Sequence, residues 1–171
     1  MRKVAIYGGA RIPFARAGTA YAEVGNQEML TAAMMHLVEK FSLKGERLGE
    51  VAAGAVIKHS RHWNLARECT LGSGLHPETP AYDLQRACGT SLSAAAQLAN
   101  RIALGEIDSA IAGGSDSASD VPLSHRRNLQ RAVLRLSRSK SVVEKIKTIG
   151  HLRPRDLIPD HPGIAEPRTG L

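Results

Sequence analysis

Short apolar runs alternate with helical stretches along residues 1–114. Residues 3–7 (KVAIY) run into Gly8-Gly9, and residues 49–57 (GEVAAGAVI) form a second run. Residues 81–84 (AYDL) and 108–112 (DSAIA, before Gly113-Gly114) form a third and fourth. The stretches between them have helical character. Asn26 is placed to cap a helix over residues 27–41, with Met29, Leu30, Ala33, Met34, Leu37 and Val38 on one face. Residues 64–72 read as a second helix ended by Gly72-Ser73-Gly74. Residues 88–104, rich in Ala and Leu and closed by Gly105, read as a third. Strands of this length interleaved with helices exclude all-α and all-β folds. They predict an α/β fold with a βαβαβαβ core and a largely parallel sheet.

The pattern breaks near residue 120, and charge marks the break. Residues 1–123 carry 12 Lys+Arg and 12 Asp+Glu, whereas residues 124–171 carry 11 and 4, which accounts for the whole net charge of +7. Residues 124–147 are basic and helix-compatible, with Leu129, Val133, Leu134 and Leu136 as a sparse stripe. Residues 152–171 hold Pro154, Pro159, Pro162 and Pro167 and read as extended. Two domains are expected, residues 1–120 and 121–171. An anionic partner would meet the second. Nucleic acid is excluded as that partner, since aromatics are 4% of the chain and residues 124–171 hold none to stack on bases. Two cysteines are too few for a disulfide framework, and no CxxC pair is present. No apolar run approaches the roughly 20 residues of a membrane span. The MRKVAIYGG start turns polar too soon for a signal peptide, so a cytoplasmic location is expected.

The chemistry-bearing motif is Gln85-Arg86-Ala87-Cys88-Gly89-Thr90-Ser91. A short strand, a tight turn and a long helix follow one another, which puts Cys88 at a helix N-terminus. There the unpaired N–H groups and the macrodipole favour a thiolate. The layout parallels the strained elbow that exposes a hydrolase nucleophile. Read from spacing alone, Cys88 is a nucleophile or a buried small hydrophobe with equal weight. Cys69, with Leu65 and Leu71 near, reads as core. His59 and His62 lack a carboxylate or thiol at ligand spacing, so no metal is expected. Gly8-Gly9 and Gly113-Gly114 complete no GxGxxG and read as turns. Asp116 and Asp120 read as turn or cap residues, and Trp63 and Tyr82 as packing residues.

These residues resemble the N-terminal half of thiolases, the acyl-CoA:acetyl-CoA C-acyltransferases. The likeness runs through ARIPFAR (10–16), EVAAGAVIKHSRHWNLAREC (50–69), AYDLQRACGTSLSAA (81–95) and AIAGGSDSASDVPL (110–123). It extends to LRPRDLIP (152–159) and EPRTGL (166–171), segments similar to those of thiolase subunits in fatty-acid β-oxidation complexes. The resemblance implies an incomplete N-terminal half of a thiolase-like fold plus the start of its inserted loop domain. It implies that Cys88 accepts an acyl group from a 3-ketoacyl-CoA. Coenzyme A thioesters are then substrates, and no bound cofactor is called for. A ketoacyl synthase shares the fold and a Cys at this position, but HSRHWNLAREC and EPRTGL favour thiolase.

The same resemblance exposes gaps. An Asn in an NEAF-like motif, a His in a GHP-like motif and a second Cys in a CxG motif are expected of a thiolase and are not in this sequence. His161-Pro162 follows Asp160 rather than Gly, and is not promoted to that His. A fifth strand is missing too. The chain is therefore expected to be truncated and inactive alone. The alternatives are a non-catalytic assembly module and one half of a split enzyme. Implied partners are acyl-CoA or CoA, further copies in a homo-oligomer, an enoyl-CoA hydratase/3-hydroxyacyl-CoA dehydrogenase subunit, and a membrane surface met by the basic stretch.

Overall fold

The structure, a computed structural model, describes residues 1–159. His161-Pro162 and the EPRTGL run lie outside the described residues. The chain divides into two compact units, Met1–Val121 and Pro122–Leu171.

The first unit is built on a parallel sheet of three strands. In chain order it holds α1 (Asn26–Lys40), β1 (Glu50–Gly54), α2 (Leu65–Gly72), β2 (Ala81–Asp83), α3 (Thr90–Leu104) and β3 (Ala110–Gly114). A 3-10 turn, Ser60–His62, precedes α2. The sheet order is β2-β1-β3, with Val51 opposite both Ala81 and Ile111. The chain leaves β1 for β2 on one side, then crosses back over β1 to reach β3. With a constant crossover hand, that reversal puts α2 and α3 on opposite faces.

Alternation along β1 supplies both cores. Val51, Ala53 and Ala55 join Leu30, Met34 and Val38 of α1 and Leu65, Ala66 and Cys69 of α2. Ala52 joins Ala94 and Leu98 of α3, with Ile107, on the other face. Small residues on the central strand let three helices close on it. Buried Met29, Leu30, Met34 and Val38 are the face of α1 read from the sequence. Asn26 is not its cap, however. Gly25 holds that position, and Asn26 is buried, its side-chain amide donating to the Ile57 carbonyl.

The expected strand at residues 3–7 does not form, so the core is αβαβαβ rather than βαβαβαβ. Ile6 is 92% and Tyr7 89% exposed. A strand exists through a neighbour's ladder, and this segment has none. Arg2 N–H donates to the Ala103 carbonyl at 2.9 Å, its guanidinium meets Asp108 at 2.5 Å, and the Tyr7 ring lies 5.3 Å from that of Phe41. Those contacts hold the segment against helix ends, and among the described residues β3 has no strand beside its outer edge.

In the second unit the single basic stretch resolves into α4 (Arg127–Arg138) and α5 (Val142–Gly150). The expected apolar stripe is shifted. Leu129, Ala132 and Leu136 face inward, while Val133 and Leu134 are exposed. Residues 152–159 are not simply extended, since Pro154–Leu157 forms a 3-10 turn. Asp156 is its anchor. Its carboxylate accepts from Arg153 N–H at 2.9 Å and from the Asn128 amide at 3.1 Å. Those bonds hold its carboxyl below the usual range.

Candidate active site

The carboxyl ends of the three parallel strands gather three loops, residues 55–63, 84–89 and 115–120. Polar contacts tie them together. Leu84 N–H donates to the Ala53 carbonyl at 3.0 Å, and Ser115 N–H to the Gly54 carbonyl at 3.1 Å. The Asp116 carboxylate accepts from Ile57 N–H at 2.8 Å and Val56 N–H at 3.1 Å. The Gln85 amide donates to the Val56 carbonyl at 3.0 Å. Asp120 meets Arg61 at 2.8 Å and His59 at 3.0 Å. Asp116 and Asp120, read from the sequence as turn or cap residues, instead tie the loop after β3 to the loop after β1 across about 60 residues of chain.

Cys88 stands on the middle loop and its thiol is exposed. It is not in the first turn of the helix. α3 starts at Thr90 with Gly89 as N-cap, so Cys88 sits one residue outside. The preceding residue, Ala87, has φ +43°, in the left-handed region that costs a non-glycine residue about 1 kcal/mol or more. That strain turns the chain sharply from β2 into α3. No side chain caps α3. The Gly89 and Thr90 N–H groups are taken by the Arg86 and Ala87 carbonyls, which leaves the Ser91 and Leu92 N–H groups without an acceptor among the described residues. Among the described residues none hydrogen-bonds the Cys88 thiol.

Close approach makes the elbow. A β-carbon on Gly54 would collide with the Leu84 carbonyl and come within 3.0 Å of Thr90 Cγ2. One on Gly114 would meet the Gly54 carbonyl and Ser91 Oγ, each at 2.8 Å. Glycine at the ends of β1 and β3 therefore lets the start of α3 press onto the sheet. Thr90, 5% exposed, fastens the turn through its hydroxyl. Sequence reasoning passed over Thr90 and Gly54. The available signal was a glycine ending an otherwise Ala/Val-rich strand and a hydroxyl residue two positions after the cysteine.

The other candidates lie elsewhere. Cys69 is wholly buried, and burial pushes its thiol up to about 11. His62 is buried. Its Nε2 accepts from Arg61 Nε–H at 3.1 Å while Nδ1 has no partner. Burial first, then the Arg61 charge, lower its pKa. Neither His59 nor His62 reaches Cys88. Trp63, read as a packing residue, is 90% exposed with φ +50°. Tyr82 is half-buried, its hydroxyl donating to Gln97 Oε1 at 3.1 Å. No group of three His, Cys, Asp or Glu among the described residues is placed to hold a metal ion. A cavity of about 320 Å³ lies between residues 10–15, α1 and β3, and Cys88 does not line it.

Comparison with known proteins agrees on one family. The family model for the thiolase N-terminal domain matches residues 4–152. The 3-ketoacyl-CoA thiolases of Photorhabdus laumondii and Yersinia pestis are each 36% identical over 169 residues. Those matches cover 99% of this chain, and the chain spans 39% of the length of either relative. Among solved structures, the Bacillus anthracis acetyl-CoA acetyltransferase matches with a TM-score of 0.67 at 26% identity, covering 71% of this chain and 31% of that one.

Proposed function

The chain belongs to the thiolase family, and on that premise we propose that Cys88 is the acyl-accepting nucleophile of a 3-ketoacyl-CoA thiolase. The carrying observation is the exposed Cys88 thiol on the strained Ala87 elbow, before the uncapped start of α3. In this reading the Cys88 sulfur attacks the keto carbon of a 3-ketoacyl-CoA. The bond from that carbon to the α-carbon breaks, and acetyl-CoA leaves once its carbanion takes a proton. An acyl thioester stays on Cys88 until the thiol of a second CoA takes it. The covalent intermediate divides one hard step into two. In this reading the N–H groups left unbonded in the first turn of α3 stabilise the charge that develops on the attacked oxygen. The relatives, 3-ketoacyl-CoA thiolases by name, support the substrate class.

No described group stands next to the thiol to take or give a proton. Such groups act as a unit, so turnover by the 171-residue chain alone is expected to be negligible. A complementing C-terminal half supplies what is lacking in this reading. The second unit fits an anionic partner. Arg131, Arg135 and Lys147 line the cleft between α4 and α5, while Val142, Val143, Ile146 and Ile149 are exposed on α5. A basic helix with an exposed apolar row is suited to CoA phosphates, an anionic membrane or an acidic partner subunit.

Intact mass spectrometry tests the proposal. The chain is incubated with acetyl-CoA, alone and with the C-terminal half of the Photorhabdus laumondii relative. A 42-dalton adduct that maps to Cys88 and is absent from Cys88→Ser is the expected result with the partner. Acetylation at Cys69, or none under either condition, would overturn it.

A further inference from the structure

One hydroxyl ties together the two sides of the Cys88 elbow. Thr90 Oγ1 donates to the Ala87 carbonyl at 2.7 Å and accepts from Arg86 N–H at 2.9 Å. It thus spans the left-handed residue from both sides. Backbone bonds close the same turn: Gly89 N–H to the Arg86 carbonyl at 2.9 Å and Thr90 N–H to the Ala87 carbonyl at 3.2 Å. Thr90 is buried, and its methyl lies against Gly54. That packing fixes its rotamer, so the hydroxyl cannot swing out to water. The Cys88 thiol makes no hydrogen bond among the described residues that would orient it. Its direction is inherited from residues 86, 87 and 90.

We propose that Thr90 is a positioning residue, which sets the direction of the Cys88 thiol by clamping Ala87 in its left-handed conformation. This rests on the reading of Cys88 as nucleophile. Thr90 touches no substrate in this account. Attack on a thioester carbonyl demands a defined approach, whereas alkylation by a small neutral reagent does not. Loss of the clamp should therefore slow the first and spare the second. The Cys88 thiol is already exposed, so loss of the fold would also slow transfer and leave alkylation fast. An unchanged urea midpoint in Thr90→Val separates lost positioning from lost folding.

The test compares Thr90→Val, which keeps the shape and removes the hydroxyl, with Thr90→Ser, which keeps the hydroxyl. The readout is the rate of acetyl transfer from acetyl-CoA to Cys88, with the complementing half present, divided by the rate of Cys88 alkylation by iodoacetamide. Thr90→Val is expected to lower that ratio at least about tenfold, and Thr90→Ser to stay within about twofold of the parent. A second measurement needs no acyl transfer. Cys88 tagged with bromotrifluoroacetone should give one fluorine resonance in the parent and Thr90→Ser, and several in Thr90→Val. Glycine adopts the left-handed region without strain, so Ala87→Gly should return at least half of the logarithmic loss. Should Thr90→Val fail to fold, Ala87→Gly/Thr90→Val against Ala87→Gly carries the same comparison, with a smaller loss. An unchanged ratio with a single resonance in the Thr90→Val chain overturns the proposal. A parent chain that is not acetylated overturns the nucleophile reading instead, and the fluorine spectra still decide the role of Thr90.

Discussion

Helices α2 and α3 both start beyond the carboxyl end of a parallel strand, and their first turns are finished in opposite ways. At α2 the donors are consumed. Asn64 accepts from Arg67 N–H at 2.9 Å, and the Asp83 carboxylate takes Leu65 N–H at 3.0 Å and Ala66 N–H at 2.7 Å while paired with Lys58. The cysteine on that helix, Cys69, faces the core. At α3 no side chain caps the end, the N-cap is glycine, and the cysteine stands outside the helix in solvent. A capped end contributes stability; an uncapped one leaves donors open to a ligand. On the proposed reading the two helix starts are a structural site and a reactive one, built at the same end of the sheet.

Thiol labelling should give the largest contrast. Iodoacetamide at neutral pH should modify Cys88 at least about a thousandfold faster than Cys69, since burial both blocks the reagent and disfavours the thiolate. Peptide mapping against time reads it. Comparable rates would mean that the core cysteine is not held as the structure places it. Next is Gly54→Ala. Its new methyl would collide with the Leu84 carbonyl, so β1 and the elbow must part. A loss of about 3 kcal/mol in urea unfolding is expected, together with altered Cys88 labelling. A neutral result would show that the approach of α3 to the sheet is dispensable. Asp83→Ala comes third. It strips two backbone donors and Lys58 of their acceptor and should cost about 2 kcal/mol. Cys88 acetylation in the complemented chain should survive it. If Asp83→Ala abolished acetylation while leaving stability intact, the division between the two helix starts would collapse.

Much of this contrast was written in the sequence, for local reasons. The helices of α/β units advertise themselves through spaced apolar residues and terminal glycines, and α1, α2 and α3 follow those signals within two residues. Cys69 flanked by Leu65 and Leu71 read correctly as core. What escaped was set by distant partners. Residues 3–7 have strand composition, but composition cannot supply a neighbouring ladder. Asn26 looked like a cap because its side chain suits one, yet Ile57, far along the chain, claims its amide. Trp63 looked like packing because large aromatics usually bury, whereas its backbone turns it outward at φ +50°. The Thr90 clamp needed Ala87 to be left-handed, and nothing in an alanine announces that.

The smallest effect concerns the approach to α2. His62 Nε2 accepts from Arg61 Nε–H, which fixes the neutral ring with its proton on Nδ1. Protonating Nε2 would break that bond and place a buried charge beside Arg61. His59 adds to the opposition, and Glu28 and Asp120 offset it in part. The folded pKa therefore lies below the reference value of 6.5. The unfolded chain then binds the extra proton first as the medium acidifies. Stability from this residue is complete above the unfolded pKa and falls as pH drops through 6.5 toward the folded value. Urea unfolding measured from pH 7.5 down to 5.5 should show that slope, and His62→Gln should flatten it. The start of α3 holds no histidine, so Cys88 labelling corrected for thiolate fraction should stay level across the same range. An equal slope in parent and His62→Gln would detach His62 from the stability of the α2 approach.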